Sequence, residues 1–302
     1  LTLLSLGWWH LRRDPRRLLS VLRPLAEPLL VAAWAFWVGR GLLSFAPDLM
    51  PNGIDFPLAV RENYLWRSLL QCGPCALWNG NFNGGNPGYL DPGSDLFHPI
   101  TAITSLIWGT LYGGRMAIPI LFALGGVASW WLAYVLKTGT VARVTAGILG
   151  ITGGYLTGRM EHGLVVFVVS LVTASFLFPA LICLYRNPSR RNTALAGLIL
   201  GLTALSGQAY VQVAVAFMSP VALFLFLDRR QTVRLRIWRS IQLGAIALLV
   251  AAVQVLPTLR WWDIIGKDRD PYFVRAQEFK FTPVNLVVSD ETFYRTQILD
   301  KE

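Results

Sequence analysis

Apolar residues gather in long blocks separated by short polar segments. A helix needs about 20 apolar residues to cross a bilayer. Blocks near that length fall at 28–46, 116–136, 144–157, 163–185, 193–206, 209–227 and 241–259. The pattern predicts an all-α, polytopic transmembrane bundle of about seven spans. The blocks 144–157 and 193–206 are short and rich in small residues, so their ends are the least defined. A further stretch, 99–112, has only 14 residues and starts at Pro99. Within the long segment 47–115, residues 58–71 have amphipathic spacing and predict a helix lying along the membrane surface.

Composition narrows this picture. The 302 residues are 54% hydrophobic and 15% charged, against about 25% charged in soluble domains. That excludes a soluble enzyme or a disordered chain. Twelve tryptophans suit a protein with two membrane interfaces, where indole rings favour the headgroup level. A net charge of +10 in a soluble protein would suggest nucleic acid. Here the basic residues cluster between apolar blocks, as loops facing an anionic leaflet do, and no nucleic-acid partner is expected.

Charge also orients the chain. With the N-terminus inside and 99–112 not spanning, the cytoplasmic segments are 10–24, 137–143, 186–192 and 228–240. They hold 15 of the 27 basic residues and only two acids, Asp14 and Asp228. The external segments 47–115, 158–162, 207–208 and 260–302 hold 14 of the 17 acids. A spanning 99–112 would invert every later loop and put the clusters Arg186–Arg191 and Arg229–Arg239 outside, against the positive-inside rule. Three regions follow. Residues 1–27 form a cytoplasmic interfacial helix, with arginines on one side and Leu, Trp8 and Trp9 on the other. Residues 28–259 form the bundle with its external loop 47–115. Residues 260–302 form an external tail that ends without a closing helix, so the chain is expected to stop short of a further region.

Candidate chemistry lies in the external loops. Asp55 stands beyond the first span, braced by Pro51, Gly53 and Pro57, just before the surface helix; such an acid can act as a general base or a cation ligand. The segment 77–99 interleaves glycines and asparagines with aromatics. Trp78, Phe82 and Tyr89 offer flat apolar faces, and Asn79, Asp91, Asp95 and His98 offer hydrogen bonds, a mixture that suits a sugar or, equally, a compact aromatic-stapled loop. The second external loop sets Glu161 and His162 between two spans, where ionisable residues are costly and functional by default. On the expected topology Glu161 and Asp55 face the same side. Together with His162 they could form a divalent-cation site or an acid–base pair, while an Arg159–Glu161 ion pair would use the same residues structurally. Gln208, Gln212, Gln242 and Gln254 are polar positions in or beside spans, of the kind that tie helices together.

Cys72-Gly-Pro-Cys75 spells a thioredoxin-type motif, but that chemistry needs the first cysteine at a helix N-terminus after a strand. Here an amphipathic stretch precedes it. A structural disulfide or an unpaired pair is expected instead, and Cys183 is expected to be a small core residue.

These features resemble the C-type (GT-C) superfamily of polytopic membrane glycosyltransferases, in its bacterial, uncharacterised branch. The residues that carry the resemblance are Asp55-Phe-Pro with its surface helix; Gly73-Pro74 and Leu77-Trp78-Asn79 through Gly84-Gly85-Asn-Pro87 to Phe97-His98-Pro99; the second-loop Glu161; and Leu205-Ser-Gly207-Gln208. The resemblance covers roughly 28–300. It implies transfer of a sugar from a polyprenyl-phosphate donor to an acceptor on the non-cytoplasmic side of a bacterial inner membrane. It assigns Asp55 and Glu161 to catalysis, and Trp78, Asn79, Asp91, His98 and Gln208 to substrate. The transfer is metal-assisted or metal-free: a divalent cation such as Mg or Mn would sit on Asp55, Glu161 and His162, although the second loop carries one acid where metal-dependent members often carry two. The expected partners are membrane lipid, the polyprenyl-phosphate sugar and other membrane subunits. The competing reading is a non-catalytic subunit that kept the fold. A transporter has little support, because no span carries paired charges and no inverted repeat is visible.

Overall fold

The computed structural model describes residues 15–45, 56–73, 93–207, 209–226 and 232–260. Among these every regular element is helical. In chain order they are α1 (Pro15–Val38), a short 3-10 turn (Gly39–Leu43), α2 (Phe56–Cys72), α3 (Pro99–Val135), α4 (Thr140–Thr152), α5 (Gly154–Glu161), α6 (Val165–Ser175), α7 (Leu177–Arg186), α8 (Arg190–Ala204), α9 (Ala209–Phe226) and α10 (Val233–Arg260). The described residues up to Leu259 belong to one compact unit.

Each apolar block of the sequence lies on a helix, with differences at the ends. The first block is the continuation of a helix that already starts at Pro15 and passes through residue 27 unbroken. The block 144–157 is divided at Gly153 between α4 and α5. The block 163–185 is α6 and α7, which meet at Phe176. Three stretches of the described residues are long and apolar enough to cross a membrane: Pro99–Val135, Val165–Arg186 and Val233–Arg260.

The first of these is two helical arms. Gly109 interrupts α3 with φ 79° and ψ −164°, a conformation open to glycine and strained for other residues. A Cβ placed on Gly113 would lie 2.8 Å from the Thr104 carbonyl oxygen and 3.0 Å from Ser105 Cα. Residues nine apart in a straight helix are separated by about 13 Å along the axis. The chain therefore folds back at Gly109, and the arm 99–108 lies against the start of the arm 110–135.

Small residues let the helices approach closely, as packing in lipid favours. Val31 of α1 wedges between Gly126 of α3 and Gly147 of α4, where an added Cβ would come within 2.7 Å and 2.6 Å of its methyls. Val31, Ala35, Phe56, Ile118, Leu121, Ile151, Val168 and Val172 form the main core. A second core joins Leu181 and Leu184 of α7, Ala196 and Ile199 of α8 and Leu243 of α10. On α10 the buried residues Leu243, Ala247, Ala251, Gln254 and Thr258 recur on one helical face, while Leu248, Leu249, Leu256 and Leu259 are exposed. An exposed leucine face of this kind suits a lipid environment.

The 110–135 arm, about 39 Å long by helical rise, separates two ends. At its start Gly114 packs on Val60 of α2. At its finish the Val135 carbonyl accepts a hydrogen bond from Arg186, while Trp130 donates to Glu27 of α1, which also binds Arg143 of α4. The second end therefore gathers residues 27, 135–143 and 186.

Candidate functional site

The first end is organised by residues 93–98, Gly-Ser-Asp-Leu-Phe-His. His98 precedes a proline, which disfavours helical backbone, and it adopts an extended conformation (φ −72°, ψ 132°) as the N-cap of α3 with Pro99 in the first turn. Its amide donates to the Asp95 carbonyl at 2.8 Å. The resulting turn buries Ser94, Asp95 and His98. Buried polar groups need partners, and side chains of three helices bond to this turn. Ser94 Oγ donates to Glu62 Oε1 of α2 at 2.9 Å. Trp66 Nε1 of α2 donates to the Leu96 carbonyl at 2.5 Å. Thr101 Oγ1 of α3 donates to Asp95 Oδ2 at 2.7 Å. Gln254 Nε2 of α10 donates to the Ser94 carbonyl at 3.1 Å.

His98 is 3% exposed and its Nε2 lies 3.1 Å from Thr173 Oγ1 of α6. The Thr173 hydroxyl donates its single proton to the Val169 carbonyl at 2.6 Å, so it accepts from His98, which fixes the Nε2–H tautomer. Nδ1 then carries a buried lone pair that has no hydrogen-bond partner among the described residues. Burial lowers the His98 pKa from 6.5 to about 4. The ring is neutral near pH 7, with Nδ1 as an acceptor. Asn63 extends the network, donating to Ser105 Oγ at 2.7 Å.

Two glycine turns close onto this centre. Gly163, with φ +78°, sits where an added Cβ would be 2.5 Å from the Phe56 amide nitrogen and 3.1 Å from its Cα. The turn after Glu161 and His162 therefore abuts the first residue of α2, which is bonded to Asp55. Gly207, with φ +96°, sits where a Cβ would be 2.6 Å from the Gly93 carbonyl oxygen. Ser206 beside it donates to Ser170 Oγ of α6 at 2.9 Å. No other residue type fits at either turn without displacing backbone.

Of the residues singled out in the sequence, Asp55, Trp78, Asn79, Asp91 and Gln208 lie outside the described residues, as do Phe82 and Tyr89. Glu161 is the last residue of α5; its backbone is described and its carboxylate is not. His162 caps that helix and is exposed. His98 stands in the interior rather than on a solvent-facing loop. Glu62, Asn63 and Thr173 were not singled out, nor was Arg115, which is 1% exposed at the start of the long α3 arm. Glu62 and Asn63 sit on a stretch whose amphipathic spacing puts polar residues in solvent. The signal that would have found them is the absence of any solvent at a helix covered by a second loop.

Cys72 ends α2 and is disulfide-bonded. Gly73 follows with φ +63°, then Pro74, so Cys-Gly-Pro is here a helix stop. A cysteine at a helix C-terminus lacks the positive dipole that activates thioredoxin-type thiols. Cys183 is a free thiol within α7. Among the described residues, no three His, Cys, Asp or Glu side chains gather into a metal site; two of the three expected ligands lie outside that set. No protein-family model and no curated protein sequence matches this chain. Fold and site together define a helical bundle with membrane-length helices and a buried polar centre at one end.

Proposed function

We propose that the chain is a polytopic membrane glycosyltransferase of the C type, which moves a sugar from a polyprenyl-phosphate donor to an acceptor hydroxyl on the non-cytoplasmic side of the bacterial inner membrane. The supporting observation is the apposition of Gly163 and Phe56, which brings the backbone of the Glu161–His162 turn to the residue after Asp55. In this reading seven helices cross the membrane with the N-terminus inside, and the polar end of the bundle faces outward. Asp55 accepts the proton of the acceptor hydroxyl as its oxygen attacks the anomeric carbon. The bond from that carbon to the phosphate oxygen breaks, and the polyprenyl phosphate leaves. Glu161 orients the acceptor. Trp78, Asn79, Asp91 and Gln208 hold the sugar, and His98 contributes from beneath through its open Nδ1. A divalent cation on Asp55, Glu161 and His162 would neutralise the leaving phosphate; no step above requires it.

The test is sugar release and transfer from labelled polyprenyl-phosphate sugars by the purified chain, wild type against Asp55→Asn. Turnover reduced at least about 100-fold in Asp55→Asn supports the assignment, the size expected for loss of a general base. Equal turnover in both forms removes Asp55 from the chemistry. A folded wild type that turns over no donor and co-purifies with other membrane subunits makes the chain a non-catalytic member of a larger complex.

A further inference from the structure

The opposite end of the bundle carries a second site. Two of the membrane-length stretches, Pro99–Val135 and Val165–Arg186, finish at one cavity of about 560 Å³. Its lining includes Tyr134, Lys137, Arg143, Arg186, Asn187 and Asn192, and no acid among the described residues. The position at two helix ends, with an exposed Tyr134 stacked on Trp130 at 5.4 Å, is that of a headgroup-level aromatic pair.

The cations of this lining differ in how far they are already used. Arg143 is committed. Its Nε donates to Glu27 Oε2 at 2.7 Å, its second amino group reaches Glu27 Oε1 at 2.5 Å, and its third donor group binds the Thr138 carbonyl at 2.9 Å. The bidentate pair is neutral as a unit, and it holds the Glu27 carboxyl down at about 2. Asn192 spends its amide on the Cys183 and Asn187 carbonyls. Arg186 donates to the Val135 carbonyl, a neutral partner, and pairs with no acid among the described residues. Lys137 is exposed, and its ammonium meets no partner among the described residues. Two positive charges therefore line the cavity with no acid paired to them among the described residues.

The backbone at Lys137 gives an independent reason to look here. Lys137 is the one non-glycine residue with positive φ (62°) among those described. Its amide bonds to the Tyr134 carbonyl at 2.9 Å and the Thr138 amide to the Ala133 carbonyl at 3.2 Å. This is the paired pattern of a helix stop whose left-handed position normally belongs to glycine. A lysine there carries a conformational cost that glycine would not. Its side chain is what the position gains.

We propose that this cavity binds the phosphate of an anionic phospholipid headgroup, with Lys137 as the principal ligand and Arg186 as the second. The site is separate from the polar centre and does not depend on the transferase reading.

The experiment uses the full chain in detergent, titrated with phosphatidylglycerol or with phosphatidylcholine of the same acyl chains and read by native mass spectrometry. Wild type is expected to hold phosphatidylglycerol more tightly than phosphatidylcholine. Lys137→Gly is expected to weaken phosphatidylglycerol about fivefold, the worth of one cation near an anionic lipid surface, while its melting temperature stays level or rises. Lys137→Asn, which also tolerates the left-handed backbone, is expected to lose the same preference. Unchanged phosphatidylglycerol affinity in both variants overturns the proposal, as does equal binding of the two lipids by wild type. Inorganic phosphate that displaces phosphatidylglycerol at equal concentration overturns the lipid as its source.

Discussion

His98 shows how one buried ring links stability to pH. Its Nε2–H is fixed by Thr173, its Nδ1 has no described partner, and burial lowers its pKa to about 4. The unfolded chain, near 6.5, takes up a proton over a range where the folded chain refuses it. The stability owed to keeping His98 neutral is fully present above pH 6.5 and is lost as pH falls through 4. The shift corresponds to about 3 kcal/mol at its low-pH limit. His98→Gln, which keeps a neutral donor for Thr173, should therefore lose less stability than wild type between pH 6.5 and 4.5, measured by denaturant unfolding in detergent. Parallel curves for the two proteins would mean that the ring does not titrate as a buried group. The sequence singles out His98 for its hydrogen-bonding groups but does not show that it is interior. A histidine followed by proline in a glycine-rich segment reads as a loop tip, and only the covering helices, α2, α6 and α10, reveal it as interior. Glu62 was hidden by the same logic, because hydrophobic spacing assigns every polar residue of a half-apolar helix to water.

Helix positions were far more legible. Each apolar block overlaps a described helix because it spans enough residues for composition to outweigh local accidents, whereas α2 is read from amphipathic spacing and the arm 99–108 belongs to no block. Helix ends were less clear where glycines serve two purposes, as Gly153 does between α4 and α5. Within a helix, glycines also divide into those that are packed and those that are free, and sequence does not separate them. Gly201 of α8 is packed: a Cβ there would meet Val250 Cβ at 2.6 Å and the Ala247 carbonyl oxygen at 2.9 Å, neither of which can swing aside. Gly244 of α10 has nothing within 4 Å of the same position. Gly201→Ala should cost about 1–3 kcal/mol through overpacking. Gly244→Ala should be neutral or stabilise by up to about 1 kcal/mol through helix propensity. Thermal unfolding of the two variants beside wild type checks the pair, and equal effects would mean that α8 and α10 do not meet along these residues.

For the molecule as a whole, the geometry divides the chain into two chemically different ends. One joins Glu62, Ser94, Asp95, His98 and Gln254; the other joins Glu27, Lys137, Arg143 and Arg186. The charge count along the sequence puts the same residues on two sides of a membrane without knowing that they meet, because loop charge depends on orientation and not on contacts. The break at Gly109 folds the arm 99–108 back on α3 and leaves 110–135 as the part of that helix long enough to cross a membrane. Two exposed positions read this out. Val141, at the start of α4, is 81% exposed at the basic end. His162, after α5, is exposed at the polar end. In cells with a Cys183→Ala background, His162→Cys should react with a membrane-impermeant maleimide added outside. Val141→Cys should react only after permeabilisation. Labelling of Val141→Cys in intact cells, with His162→Cys protected, would turn the bundle over and take the polar centre away from any donor presented outside. Labelling of both from one side would mean that an odd number of crossings does not separate them, and the break at Gly153 would have to be reassigned as a turn between two half-helices.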